Sequence, residues 1–191
     1  RPEGRNGVLV RTIESYRQYG DKWAQTWECQ ALLKARACAG DLQLGRAFEE
    51  AAQPYVWAAS AREGFVEAAR AMRRRVEDNM SRSHASRELK LGRGGLRDVE
   101  FTVQLLQLVH GRTDAFLRVR STLEAIEALR EGGYIARSDA DQLASCYRFL
   151  RAVEHRTQLP RMRRHHLIPD KDRDLRVLGR AMDPARFPDA D

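Results

Sequence analysis

KLGRGGLRDVEFTVQLLQLVHG, residues 90–111, decides how the chain is read. Gly92, Gly94 and Gly95 stand among cations, and a long apolar run follows. Val99, Phe101, Val103, Leu105, Leu106, Leu108 and Val109 leave one polar stripe, Arg97, Glu100, Gln104 and Gln107, at i, i+3, i+7 and i+10. A helix apolar over most of its circumference belongs inside a helical protein. Its stripe, with Asp98 beside it, then needs protein partners or a cleft, because burying unpaired charge is costly. Two versions stay open: a buried ion-pair network with the arginines of the preceding helix, or the lining of a cleft against another domain.

The glycines invite a second question. A phosphate-binding P-loop ends in GK[ST], which GRGGLR lacks, and a dinucleotide fingerprint needs glycine where Arg97 stands. What remains is either an anion site at a helix start, with Lys90, Arg93 and Arg97 nearby, or close backbone packing.

Working outward, the 3.6-residue period recurs and period-2 alternation is nearly absent, so the expected fold class is all-α, a multi-helix bundle. Helices are expected over Val10–Tyr19, ended by Gly20, and over Asp21–Ala37, with Trp23, Trp27, Ala31 and Ala35 as its apolar face. Asp41 should cap a third helix that stops at Gln53, before Pro54. A fourth spans about Ser60–Met80, and SRSHASRE after it reads as a mobile loop or a boundary. Ser121 with Glu124 forms a capping box for a helix that ends at Gly132 and Gly133. Ser138 or Asp139 caps the next, which carries Leu143, Tyr147, Leu150 and Val153 inward and is closed by Pro160. Asp172 or Asp174 begins a last short helix, and residues 184–191 read as a frayed tail.

At 191 residues, 42% hydrophobic and 32% charged, the chain is a globular domain or two, without a run near the roughly 20 apolar residues a membrane helix needs. Three cysteines without CxxC pairing point to a reducing, cytoplasmic setting. The net charge of +7 favours an anionic partner without choosing one. Asp139 with Asp141, and Asp170, Asp172 and Asp174, have metal-pair spacing but sit where helices begin, so they read as caps and no metal site is assigned. RMRRHH, residues 161–166, is the most positive patch; without interleaved aromatics it reads as a solvated or domain-contacting face, which disfavours nucleic acid. The chain starts at Arg1 inside a turn-rich segment and reads as a piece of a longer protein.

RPEGRNGVLVRT, WECQALLKARACAGD, KLGRGGLRDVEFTVQLLQLVHG and YRFLRAVEHRTQL with RRHHLIP follow one another in that order. Together they resemble the glutamine synthetase adenylyltransferase/deadenylase family, in the wording of its actinobacterial members. The resemblance implies two similar halves, each a nucleotidyltransferase domain followed by a helical domain. Gly94 to Gln104 fits the signature of the deadenylating N-terminal half. Residues 1–58 would then be the end of the nucleotidyltransferase domain and 59–183 the helical domain behind it. The family's metal-binding carboxylates would lie upstream of Arg1, leaving no catalytic residue in this piece, which should be inert alone and hold no cofactor. The complete enzyme would use Mg2+ with ATP, ADP and phosphate to remove AMP from a tyrosine of glutamine synthetase, and through its other half to add it. Arg1, Lys34 and Arg36 are the candidate phosphate-facing cations; Lys34 and Arg36, two apart on a helix, would point to different sides. Arg97, Asp98, Glu100 and Gln104 are the candidates for the cleft or domain junction. The other reading is a non-catalytic helical module that docks glutamine synthetase or the PII signalling protein.

Overall fold

The computed structural model describes residues 7–78 and 82–186. Arg1, Met80, Ser81 and the last five residues of the expected tail lie outside the described residues. Eight α-helices account for most of the rest: α1 (Ile13–Lys22), α2 (Thr26–Leu32), α3 (Leu42–Ala58), α4 (Phe65–Asp78), α5 (Leu96–His110), α6 (Thr122–Glu131), α7 (Arg137–Gln158) and α8 (Asp172–Met182). Short 3-10 turns occupy Ala59–Ala61, Arg82–Arg87, Ala115–Leu117 and Leu159–Arg161. No strand occurs among the described residues, and the one β-type pairing among them is the antiparallel bridge between Glu88 and Leu167. The protein is all-α, as the periodicity predicts.

Several boundaries follow local chemistry. Asp41 caps α3 by accepting from the Gln43 and Leu44 N–H groups at 2.9 and 3.0 Å. Ser121 caps α6 by accepting from Glu124 N–H, and Gly132 ends it, with Gly133 left-handed at φ +73°.

Others follow tertiary packing instead. Gly20 does not end α1, which runs on to Lys22. A Cβ at Gly20 would lie 2.5 Å from the Tyr55 ring, so glycine stands there to let two helices touch. Pro54 does not stop α3 either, because Tyr55, Val56 and Trp57 beyond it are all buried. α2 is far shorter than expected: Trp23 terminates α1, and Lys34 and Arg36 fall after the end of α2. Trp23 and Trp27 are 67% and 44% exposed, so the expected tryptophan face is not the buried one; Glu28, Cys29, Gln30 and Leu33 are buried instead. α4 begins at Phe65 rather than near Ser60, behind the 3-10 turn at Ala59–Ala61. The serine and aspartate expected to cap α7 both lie inside it, with Ala136 at the cap. α8 is capped at Lys171, which leaves Asp172 and Asp174 in its first turn.

The chain divides into two compact units that alternate along the sequence. The first takes the described part of Arg1–Arg73 together with Val103–Gly132, and the second takes Arg74–Thr102 with the described part of Gly133–Asp191. In the first unit Tyr19, Cys29, Leu33, Tyr55, Val56, Trp57, Phe65 and Leu108 share one apolar core. Tyr16 packs at its margin, edge-on to Phe48 with ring centroids 4.8 Å apart. In the second unit α7 packs on α8, and Arg156 ties the two together, its Nε donating to the Ala181 carbonyl at 3.1 Å.

Candidate functional site

The glycine-rich stretch ahead of α5 is a backbone knot. Leu96 N–H donates to the Leu89 carbonyl and Arg97 N–H to that of Lys90, at 2.9 and 3.0 Å. Asp98 and Val99 N–H both donate to the Gly95 carbonyl. The Asp98 carboxylate reaches back to the Gly94 N–H at 2.7 Å. The amides a phosphate would use at this helix start are thus occupied by the chain itself. Gly94 supplies the left-handed residue, φ +71°, and a Cβ at Gly95 would lie 2.6 Å from the Leu89 carbonyl. Close packing explains these glycines.

α5 is buried along its length at Leu96, Val99, Val103 and Leu108. Its polar stripe meets different partners in the two units. Within the second unit, Glu100 accepts a hydrogen bond from the Tyr147 hydroxyl of α7 at 3.2 Å. The Arg97 guanidinium lies 5.3 Å from the centre of the Phe101 ring, and its buried Nε has no hydrogen-bond partner among the described residues. Within the first unit, Gln104 is buried and Gln107 clamps the chain ahead of α6, its amide donating to the Leu117 and Val119 carbonyls at 2.8 Å each.

A hub of charge in the second unit centres on a residue that the sequence reading does not single out. Glu154, on the inward face of α7, is 2% exposed. Arg151 Nη1 lies 2.5 Å from one of its oxygens, and Lys90 Nζ and His166 Nδ1 lie 3.9 and 3.1 Å from the other. The surrounding backbone is equally tied. Leu89 N–H donates to the His166 carbonyl and Ile168 N–H to the Arg87 carbonyl, both at 2.8 Å. Glu88 accepts from the Lys90 and Leu91 N–H groups, and Arg87 pairs with Asp170 at 3.4 Å. Three separate stretches, KLGRGG, RAVEHR and RRHHLIP, therefore meet at one carboxylate. Burial, then the Lys90 charge, hold His166 below the ordinary histidine value of 6.5, against the opposite pull of Glu154 and Glu88. Arg164 Nε donates to His166 Nε2, which requires that nitrogen to be unprotonated. The sequence signal for this hub is a glutamate on the inward face of its helix, two turns beyond Tyr147 and one beyond Leu150.

In the first unit Lys34 Nζ sits 2.5 Å from the Thr122 hydroxyl, while Arg36 is exposed. They separate because the chain beyond α2 is not helical, rather than through the turn of a helix. Arg120 bridges the Ala35 carbonyl and the Glu49 carboxylate, and Glu49 also takes the Ala37 N–H at 2.6 Å. A small cleft of about 130 Å³ opens beside them, with Gln53, Trp57 and Arg118 in its wall. The Arg118 guanidinium stacks 5.0 Å from the Trp57 ring.

No three His, Cys, Asp or Glu side chains among the described residues converge where a metal ion could be held. Asp170 is engaged with Arg87, and Asp139 lies in the first turn of α7. The described residues therefore offer no cluster that fits Mg2+. All three cysteines are free, Cys29 buried and Cys38 and Cys146 exposed. No helix among the described residues is long and apolar enough to cross a membrane.

Two family models match the chain. That of GlnD PII-uridylyltransferase covers residues 69–189, and that of glutamate-ammonia ligase adenylyltransferase covers residues 1–51. The chain is 59% identical over 182 residues to the bifunctional glutamine synthetase adenylyltransferase/adenylyl-removing enzyme of Streptomyces coelicolor. It is 57% identical over 183 residues to the protein of that name from Mycobacterium avium, and 55% identical over 183 residues to that from Corynebacterium glutamicum. Each match takes in 95% of this chain and 18% of the relative, so the chain spans under a fifth of the length of these relatives. Over residues 69–189 the chain belongs to the GlnD PII-uridylyltransferase family, and over 95% of its length it is similar to part of the bifunctional glutamine synthetase adenylyltransferase/adenylyl-removing enzymes.

Proposed function

We propose that the chain is part of the deadenylating half of an enzyme that governs nitrogen assimilation by removing AMP from a tyrosine of glutamine synthetase, the other half adding it. The observation that carries this reading is the identity of 55–59% to actinobacterial enzymes of that name over nearly the whole chain. The run from Gly94 to Gln104 supports the choice of half through the signature it resembles. In this reaction inorganic phosphate attacks the AMP phosphorus, the bond to the tyrosine oxygen breaks, ADP leaves, and the tyrosine oxygen takes up a proton. Such chemistry depends mainly on placement and charge neutralisation. Mg2+ and nucleotide would be held elsewhere in the complete enzyme, and no step falls to a carboxylate of this chain.

In this reading residues 1–58 close the nucleotidyltransferase domain and 59–183 form the helical domain behind it. The family-model boundaries, 1–51 and 69–189, support a division by descent, although the compact units alternate along the chain. Arg1 and Arg36 are the candidate phosphate-facing cations. Lys34, half-buried against Thr122, is a better organiser of the chain after α2. Arg97, Asp98, Glu100 and Gln104 belong to the cleft or domain junction, with Asp98 shaping the turn before α5 and Arg97 the residue nearest the chemistry. The enzyme would work in the cytoplasm, with glutamine synthetase as substrate and PII as a regulatory partner. The test is incubation of the full-length enzyme with adenylylated glutamine synthetase and inorganic phosphate. Release of ADP matching the AMP lost is the expected result; AMP loss without ADP, or none, would refute it.

A further inference from the structure

Beyond that reaction, the second unit carries a groove that the polar stripe does not use and that shares only Arg164 with the hub. It has a volume of about 370 Å³ and is lined by His155, Gln158, Leu159, Met162, Arg163 and Arg164. No acidic side chain is among them. Its apolar part is held outward: Leu159 is 54% exposed and Met162 is 85% exposed. Met162 is also the one non-glycine residue with positive φ among the described residues, at φ 46° and ψ 37°. An L side chain rarely adopts this conformation, so the surrounding chain must hold Met162 in it. The segment is pinned in place: Met162 N–H donates to the Leu159 carbonyl, and the Gln158 amide donates to the His165 carbonyl at 3.0 Å.

The cations beside the groove are equally open. Arg163 and Arg164 are exposed, and neither has a carboxylate within ion-pair distance among the described residues; Arg164 hydrogen-bonds to the His166 ring. The buried carboxylate of this unit, Glu154, is already matched by Lys90 and Arg151. The groove therefore presents two adaptable apolar side chains beside uncompensated cations.

We propose that this groove is a docking site for an acidic protein segment that carries a bulky apolar side chain between its carboxylates. The apolar side chain covers Leu159 and Met162, and the flanking carboxylates pair with Arg163 and Arg164. Leu159 and Met162 distinguish this occupant from a nucleic-acid backbone, which would leave both side chains in water, and no aromatic platform for bases lines the groove. A preformed, fixed groove keeps the ordering cost of docking low.

The test uses the full-length enzyme and fluorescence anisotropy with three probes. One is a short peptide of aspartates and glutamates flanking a central Leu-Phe pair. The second replaces that pair by Ala-Ala at the same charge, and the third is a short thymidine oligonucleotide. Saturable binding of the first peptide is expected, weakened about tenfold by Arg163→Glu and roughly three- to tenfold by Met162→Ala. The Ala-Ala peptide should bind about tenfold more weakly than the first. Both replaced side chains are exposed, and unchanged circular dichroism of each variant confirms that the fold is intact, with Leu159→Ala as a further variant. The proposal is overturned if no probe saturates, if the Ala-Ala peptide or the oligonucleotide binds as well as the first peptide, or if folded variants bind like the parent.

Discussion

Glu28 and Glu154 are the two buried carboxylates among the described residues, one in each compact unit, and they are satisfied by opposite means. Glu28, 7% exposed, accepts from neutral donors: the Tyr19 hydroxyl at 3.0 and 2.9 Å to its two oxygens, and the Gln25 N–H at 2.8 Å. Glu154, 2% exposed, is surrounded by Arg151, Lys90 and His166. The neutral cage is local, built from α1 and the first turn of α2. The cationic hub collects residues far apart in sequence. A carboxylate with neutral donors can organise one corner; one with cations can tie remote segments together, because each cation is left uncompensated if it lets go.

That contrast can be tested by substitution. The largest effect should come from Glu154→Ala, which strands Lys90 and Arg151. Their side chains are 23% and 40% exposed and can partly rehydrate, so the expected loss in urea unfolding is about 2–4 kcal/mol, below that of a fully buried pair. Gly20→Ala sharpens the other side, because its Cβ would press on the Tyr55 ring at 2.5 Å; crowding of this kind costs about 1–3 kcal/mol. Tyr19→Phe removes one donor from the neutral cage, and a loss of about 1–2 kcal/mol by the same measurement would fit a single missing hydrogen bond. Should Tyr19→Phe cost more than Glu154→Ala, the ranking of the two regions is wrong.

The smallest effect separates the regions by pH. His166 faces Lys90, Arg164, Glu154 and Glu88, and its folded value lies below 6.5. Between the two values the unfolded chain binds a proton that the folded chain resists, so stability falls as pH drops below about 6.5 and levels off below the folded value. His166→Asn should flatten that part of the stability profile. A slope that survives His166→Asn contradicts the assignment.

The helices were legible wherever a side chain decides its own backbone. Asp41, Ser121 and Gly132 mark the ends that the structure shows, because caps act within one turn. Gly20 and Pro54 misled because their neighbours in space outweigh their own preference: Tyr55 demands a glycine opposite, and the buried Tyr55-to-Trp57 run carries α3 past the proline. Trp23 and Trp27 misled differently, since a four-residue repeat shows that a face exists but not which way it points. At the candidate site, the burial of α5 and its polar stripe could be read from periodicity. The partners could not: Tyr147 for Glu100, and Lys90, Arg151 and His166 for Glu154, come together only in the folded chain.

Arg97 is the residue on which the proposed role of the stripe can be tested, its guanidinium lying against Phe101 and its Nε without a hydrogen-bond partner among the described residues. The most direct measurement is the pair of rates of the full-length Arg97→Ala enzyme: phosphate-dependent ADP release from adenylylated glutamine synthetase, and AMP transfer from ATP. If the stripe serves deadenylation, ADP release falls by about tenfold or more while AMP transfer stays within about twofold of the parent, in a variant with unchanged circular dichroism. Loss of AMP transfer with ADP release intact would place the chain in the other half. Two unchanged rates would remove the stripe from the chemistry.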